Sequence, residues 1–305
     1  MLLCNISVYS MTSLAQASHI SGGPRRTKKP LELSRVELYL QLEGCIRATT
    51  LWELMVSKKI PLPDTSASHG DSSEYKSPQL QDVISFMISH TQSCKSLIVK
   101  KLQLCIDVLL DDEEALQRVC HEISEDCHRN GVKYFEISLN PYKFLGEKSS
   151  ENANRLIRSV LDSFKKAQEL TSVKFGLILQ YDKGMKEEAK NLLSQCKDLK
   201  EENVVGLELA ETDYKIEDVL ADDSENVDLL LFPPDDIAIF EEAKAAKIHR
   251  SVHAGEFGPS DAVFQAIEKL GAERVIAGYS VLQAREHKLS NTSPSPDIPS
   301  INQSI

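Results

Sequence analysis

Short apolar, β-rich runs alternate along the chain with longer segments of helical periodicity, and this alternation limits the fold more than any other feature. In the helical segments, apolar residues recur every three or four positions, as between Leu116 and Cys127 and between Leu156 and Ala167. Repeated strand–helix–strand order is typical of parallel βαβ units. The candidate strands are residues 35–42, 132–139, 173–180, 203–210, 248–254 and 273–278.

Two α/β architectures fit this pattern: an open doubly wound sheet and a (β/α)₈ barrel. Neither G-x-G-x-x-G nor G-x-x-x-x-G-K-[ST] follows any candidate strand, which removes support for a nucleotide-binding loop. The chemically versatile residues stand at or just beyond the carboxyl ends of strands, where barrel proteins carry their active sites. The sequence therefore favours the barrel.

Composition excludes several classes of protein. The 305 residues carry a formal net charge of −11, which argues against non-specific binding to nucleic acid. No apolar run approaches the roughly 18 residues of a membrane span. The seven cysteines are scattered without a C-x-x-C pair, which favours reduced thiols in a cytoplasmic protein.

Composition also divides the chain. Residues 1–33 are polar and irregular, and we expect a disordered arm. Residues 34–285 carry the alternating pattern and form the expected barrel domain. Residues 286–305 are rich in Ser, Asn and Pro and are expected to form a disordered tail, because they cannot bury enough apolar area.

The segment SVHAGEFGPSDAVFQAI, residues 251–267, has the strongest chemical content. A β-rich run ends in His253, and the carboxylate of Glu256 follows three residues later. A histidine at the end of a strand with a nearby carboxylate can place a metal ligand and a proton donor over one pocket. The alternative is a polar turn between a strand and a helix, and the tetrapeptide H-A-G-E does not decide between the two.

Residues 251–258 resemble the T-V-H-A-G-E-x-G segment of the adenosine deaminase family. Four further segments resemble that family in the same order: residues 34–54, 112–141, 206–210 and 273–282. The resemblance implies a TIM-type (β/α)₈ barrel. It also implies the family reaction, which is the zinc-dependent hydrolytic deamination of adenosine to inosine in purine metabolism.

The chain departs from the family where zinc would bind. The family's H-x-H pair on the first strand is replaced by Tyr39 and Gln41, and neither is a good zinc ligand. His253 keeps the third ligand position, and Glu256 keeps the position of the glutamate that protonates the purine ring. Ala277 stands where the family has the histidine that assists the attacking water.

Two substrate-contacting positions also differ. Glu43 replaces an aspartate that follows the first strand, and Glu211 replaces a glycine that contacts the base. The resemblance stops near residue 283, so that about six of the eight strands are expected.

We therefore expect an adenosine deaminase-like protein with weak or absent zinc and impaired chemistry. It would bind a purine nucleoside or a protein partner as a pseudoenzyme. The alternatives are an active deaminase with a rebuilt site, and a truncated or alternatively spliced product.

Overall fold

The computed structural model describes residues 34–63, 75–88, 95–210, 232–256 and 260–282. Within them lie six strands, which confirm the six strand predictions to within two residues at each end. The strands are β1 (Arg35–Gln41), β2 (Val132–Leu139), β3 (Lys174–Asp182), β4 (Val204–Ala210), β5 (His249–Ala254) and β6 (Arg274–Ala277).

These strands form one parallel sheet in the order β1-β2-β3-β4-β5-β6. Each strand pairs with its neighbour in sequence, as in a chain of consecutive βαβ units. The fold is thus a TIM-type barrel that is incomplete within the described residues, because six strands are present where a closed barrel has eight.

Helices connect the strands and cover the outer face of the sheet. The best-defined helix start is at Asp112, whose side chain accepts a hydrogen bond from the backbone N–H of Ala115 at 2.9 Å. The helices are α1 (Ala48–Lys58), α2 (Leu80–Ile88), α3 (Lys95–Leu109), α4 (Glu113–Arg129), α5 (Ser150–Thr171), α6 (Lys186–Asp198), α7 (Pro234–Ala245) and α8 (Ser260–Glu268), with 3₁₀ turns at Leu42–Cys45, Pro141–Phe144 and Lys200–Glu202.

The core lies between the helices and the outer face of the sheet. Phe135 on β2 packs edge-on against Phe164 on α5, with ring centroids 5.5 Å apart, and Phe175 on β3 completes the cluster. Alternate residues of a strand face opposite sides, so the even-numbered residues of β2, β3 and β4 line the barrel interior. Since the active sites of barrel proteins lie at the carboxyl ends of the strands, the interior residues near those ends define the candidate site.

The two edge strands are less well covered than the central ones. Seven of the nine residues of β3 are buried, whereas the outward-facing Val36 and Leu38 on β1 are about half exposed. All four residues of β6 are partly exposed as well. The difference follows from position, because β1 and β6 each have one strand neighbour among the described residues.

Five cysteines of the described residues are free thiols, as their spacing predicts: Cys45, Cys105, Cys120, Cys127 and Cys196. No helix in the described ranges is long and apolar enough to cross a membrane. The predicted arm, residues 1–33, and tail, residues 286–305, lie outside the described residues and stay predictions.

Candidate site at the carboxyl end of the barrel

Glu208 lies at the centre of the barrel interior, near the carboxyl end of β4, and is fully buried. Its Oε1 accepts a hydrogen bond of 2.6 Å from the Nε2 of Gln180 on β3. The hydroxyl of Tyr39 on β1 donates a longer one to the same oxygen, at 3.4 Å. Three strands are thus joined through one carboxylate.

Burial raises the pKa of Glu208 above its ordinary value. The hydrogen bond from Gln180 and the nearby imidazole of His253 act in the opposite direction, but they do not outweigh the loss of solvent. The proton affinity of this carboxyl group is therefore higher than that of an exposed glutamate.

Lys143 extends the network toward the mouth of the barrel. It lies in the 3₁₀ turn after β2, and its Nζ is 3.6 Å from Oδ1 of Asp182 at the end of β3 and 4.0 Å from Oε1 of Glu43. Its Nζ also donates to Oε1 of Gln180 at 3.5 Å. Burial alone would lower the pKa of Lys143, but the carboxylates of Asp182 and Glu43 outweigh it and hold that pKa above its ordinary value.

On the other side of the mouth, His253 and Glu256 form a pair. The Nε2 of His253 lies 2.6 Å from Oε2 of Glu256, and both side chains are largely buried. The two residues that the sequence singled out are thus in direct contact. The contact occupies one of the two ring nitrogens of His253.

A tight turn holds this pair. Gly255 has a φ of +77°, and a Cβ there would lie 2.6 Å from both Oγ of Ser280 and Cγ2 of Val263. The backbone N–H of Ser280 donates to the carbonyl of Gly255 at 2.9 Å. Glycine is therefore required at this position both for its backbone conformation and for space.

The remaining predicted site residues are placed as follows. Gln41 is partly buried on β1, two residues after Tyr39 and hence on the same side of the strand. Glu43 is buried in the turn after β1, near Lys143. Ala277 ends β6 with a φ of +72°, and Glu211 lies outside the described residues.

These donors do not fit a zinc ion. A catalytic zinc site takes three protein ligands, in most cases His, Cys or a carboxylate. The three positions at which the sequence resemblance places the family's zinc ligands carry the phenol of Tyr39, the amide of Gln41 and the imidazole of His253. Nowhere in the described residues do three His, Cys, Asp or Glu side chains form a group that could hold a metal.

Sequence reasoning did not single out Glu208, Gln180, Lys143 or Asp182. For Glu208 there was a signal, because a single acid within the apolar run VVGLELA indicates a buried carboxylate with a special environment. For Lys143 there was none, since a lysine in a turn is most often exposed to solvent.

A parallel (β/α)-barrel protein with its polar interior residues at the carboxyl ends of the strands is the class that this fold and site define. A model of the family described as adenosine deaminase matches residues 34–292. This chain belongs to the adenosine deaminase family.

Similar proteins are adenosine deaminases of both animals and bacteria. The Gallus gallus protein is 26% identical over 265 residues, which are 83% of this chain and 66% of the relative. The protein of Clostridium perfringens is 29% identical over 267 residues, 84% of this chain and 68% of the relative. This chain thus spans about two thirds of the length of such relatives.

Two solved structures share the fold. A zinc-bound amidohydrolase from Burkholderia ambifaria aligns with a TM-score of 0.61 at 21% identity, over 85% of this chain and 62% of the other. The adenine deaminase of Arthrobacter aurescens aligns with a TM-score of 0.57 at 19% identity, over 81% of this chain and 65% of the other. They confirm the barrel expectation.

Proposed function

We propose that this protein binds a purine nucleoside at the carboxyl end of its barrel without deaminating it. The observation that carries the proposal is the identity of the interior side chains. Where the family pattern has metal-binding and water-activating histidines, this chain has Tyr39, Gln41 and Ala277. The hydroxyl of Tyr39 donates a hydrogen bond to Glu208.

The chemical consequence is a loss of the nucleophile. Zinc makes hydroxide available near neutral pH by lowering the pKa of a bound water, and this donor set does not support such an ion. The absence of a base at position 277 removes a further factor of about 10² to 10⁴ in rate. Both effects act on the chemical step.

Binding depends on other residues. Glu256 and Glu43 lie at the mouth, and carboxylates accept hydrogen bonds from the exocyclic amino group and the sugar hydroxyl groups of a nucleoside such as adenosine. Family membership and the adenosine deaminase relatives support adenosine as the ligand.

The test combines turnover with binding. Purified protein with added zinc is expected to give no fall in adenosine absorbance, while calorimetry detects adenosine binding that weakens in Glu256→Gln. Turnover that disappears in Glu256→Gln would instead establish an active deaminase with a rebuilt site.

Metal content gives a second readout. We expect elemental analysis to find well below one zinc per chain after purification without added metal. About one zinc per chain, lost in His253→Ala, would overturn this part of the proposal.

A further inference from the structure

Several carboxyl groups and the ammonium group of Lys143 lie together at the mouth of the barrel. Four carboxyl groups lie there among the described residues, and the ammonium group of Lys143 lies within 4.0 Å of two of them, Glu43 and Asp182. The four carboxyl groups are those of Glu43, Asp182, Glu208 and Glu256. Buried carboxylates need a compensating charge, because desolvation otherwise penalises their ionised form.

The backbone that carries Lys143 is held by its packed neighbours. Its neighbours in the turn, Pro141, Tyr142 and Phe144, are all buried. The side chain of Asn140 accepts a hydrogen bond from the backbone N–H of Tyr142 at 3.1 Å. The Lys143 side chain itself is 24% exposed. A rigid turn therefore presents a lysine at the mouth.

The contacts of this ammonium group are long. Its Nζ lies 3.5 Å from Oε1 of Gln180, 3.6 Å from Oδ1 of Asp182 and 4.0 Å from Oε1 of Glu43, whereas charged N–H···O bonds are ordinarily about 2.7–2.9 Å. An ammonium group has three N–H donors, and contacts of this length leave it able to make a shorter bond to a ligand oxygen that lies beside them. The arrangement has the right charge for its neighbours and a spacing that a ligand oxygen would complete.

We propose that Lys143 supplies the positive charge that a metal ion would supply in an active relative, and that its ammonium group binds a hydroxyl oxygen of the ligand. Asp182 accepts a hydrogen bond from that hydroxyl group, so the ammonium and the carboxylate act as a donor and acceptor pair. The side chain of Asn140 holds this carboxylate, donating to Oδ2 of Asp182 at 3.2 Å. The ligand class is an uncharged molecule with hydroxyl groups, which rests on the proposed nucleoside binding.

A pair of probe ligands isolates this contact. Adenosine carries sugar hydroxyl groups, and 9-methyladenine carries the same base without them. Lys143→Met is expected to weaken adenosine binding by about tenfold to a hundredfold, the range of a charged hydrogen bond, and to leave 9-methyladenine binding unchanged. Equal losses for both probes, or none for either, would overturn the proposal.

The matched control is Lys197→Met. Lys197 pairs with Glu242 at 2.6 Å on the exposed surface, so the same change in charge there should leave both affinities as in the natural protein. A comparable loss of adenosine affinity in that variant would mean that overall charge, and not the Lys143 contact, is responsible.

Chemical rescue tests the cation without relying on nucleoside binding. Lys143→Ala, purified with and without ethylammonium chloride, is expected to regain thermal stability with ethylammonium and not with tetramethylammonium at equal ionic strength. Equal effects of the two salts would overturn the role of Lys143 as the internal cation. If the natural protein binds neither probe, the proposed function and the hydroxyl contact fail together, while rescue still decides the role of the cation.

Discussion

Two cations reach into the same barrel, and their surroundings differ. At the amino end, Nη1 of Arg274 on β6 lies 2.7 Å from Oε2 of Glu136 on β2 and donates to the carbonyl of Leu38 on β1 at 2.9 Å. At the carboxyl end, the contacts of Lys143 range from 3.5 to 4.0 Å. The Arg274 contacts have the length of completed bonds, whereas those of Lys143 do not.

The comparison indicates that the amino end of the barrel stabilises the fold, whereas the carboxyl end is suited to binding a ligand. The other oxygen of Glu136 accepts a hydrogen bond from the hydroxyl of Tyr134 at 2.9 Å, so this carboxylate is well satisfied. A cavity of about 280 Å³ lies beside it, but its charged groups pair with one another, as Arg250 does with Glu273 at 2.7 Å. Arg274 connects β6 to β1 and β2, and we assign it a role in stabilising the fold.

The largest effect is expected from Arg274→Met. It leaves the Glu136 carboxylate, which is 13% exposed, without its cation, and should lower the free energy of unfolding by about 2–4 kcal/mol. Urea denaturation measures the loss. Lys143→Met should cost at most about half as much, since its ion pairs are longer.

The double variant Arg274→Met with Glu136→Gln serves as the control, and it should recover part of the stability because no unpaired charge remains. A loss below about 0.5 kcal/mol in Arg274→Met would contradict a structural role for the amino end.

A substitution at Gly255 tests whether the carboxyl end of the barrel, beside His253, is as rigid as the amino end. Gly255→Ala combines a positive φ with two close contacts, and we expect a loss of about 2–3 kcal/mol. Gly184→Ala is a matched control, since Gly184 has a φ of +82° and nothing within 4 Å of an added Cβ. Equal losses at both positions would show that the close contacts contribute nothing.

Glu208→Gln should change the pH dependence of stability. The raised pKa means that the folded protein holds the proton more tightly than the unfolded chain, so stability falls as pH rises above the ordinary glutamate value of about 4.5. The variant lacks this titrating group, so its stability should not show that fall between pH 5 and pH 8. Denaturation at pH 5 and pH 8 measures it, and parallel pH profiles of the two proteins would refute the assignment.

The smallest effect is expected at Ala277. A non-glycine residue with a φ of +72° carries conformational strain, so Ala277→Gly should gain up to about 1 kcal/mol. Ala254→Gly, at an ordinary strand position, should lose stability instead. A loss in both variants would mean that the left-handed conformation at position 277 carries no strain.

The strands were predictable because buried parallel strands are continuous apolar runs, and β2, β3 and β4 have that character. The pairing of His253 with Glu256 was predictable because the two lie three residues apart at a strand end. The Lys143 network was not, since it joins the ends of three strands and depends on the orientation of the turn at Pro141–Phe144. The contacts of Arg274 were not predictable for the same reason, because its partners are 138 and 236 residues away.

That long separation has a kinetic consequence. Every strand pair in the sheet joins neighbours in sequence, so the sheet can grow from β1 onward as the chain emerges from the ribosome. The bond from Arg274 to Leu38 spans 236 residues, and contacts between distant residues form slowly because the loop must first be closed. Until β6 has been synthesised, the carbonyl of Leu38 on β1 lacks its donor, Arg274. During that interval the nascent chain is open to capture by chaperones or by other chains.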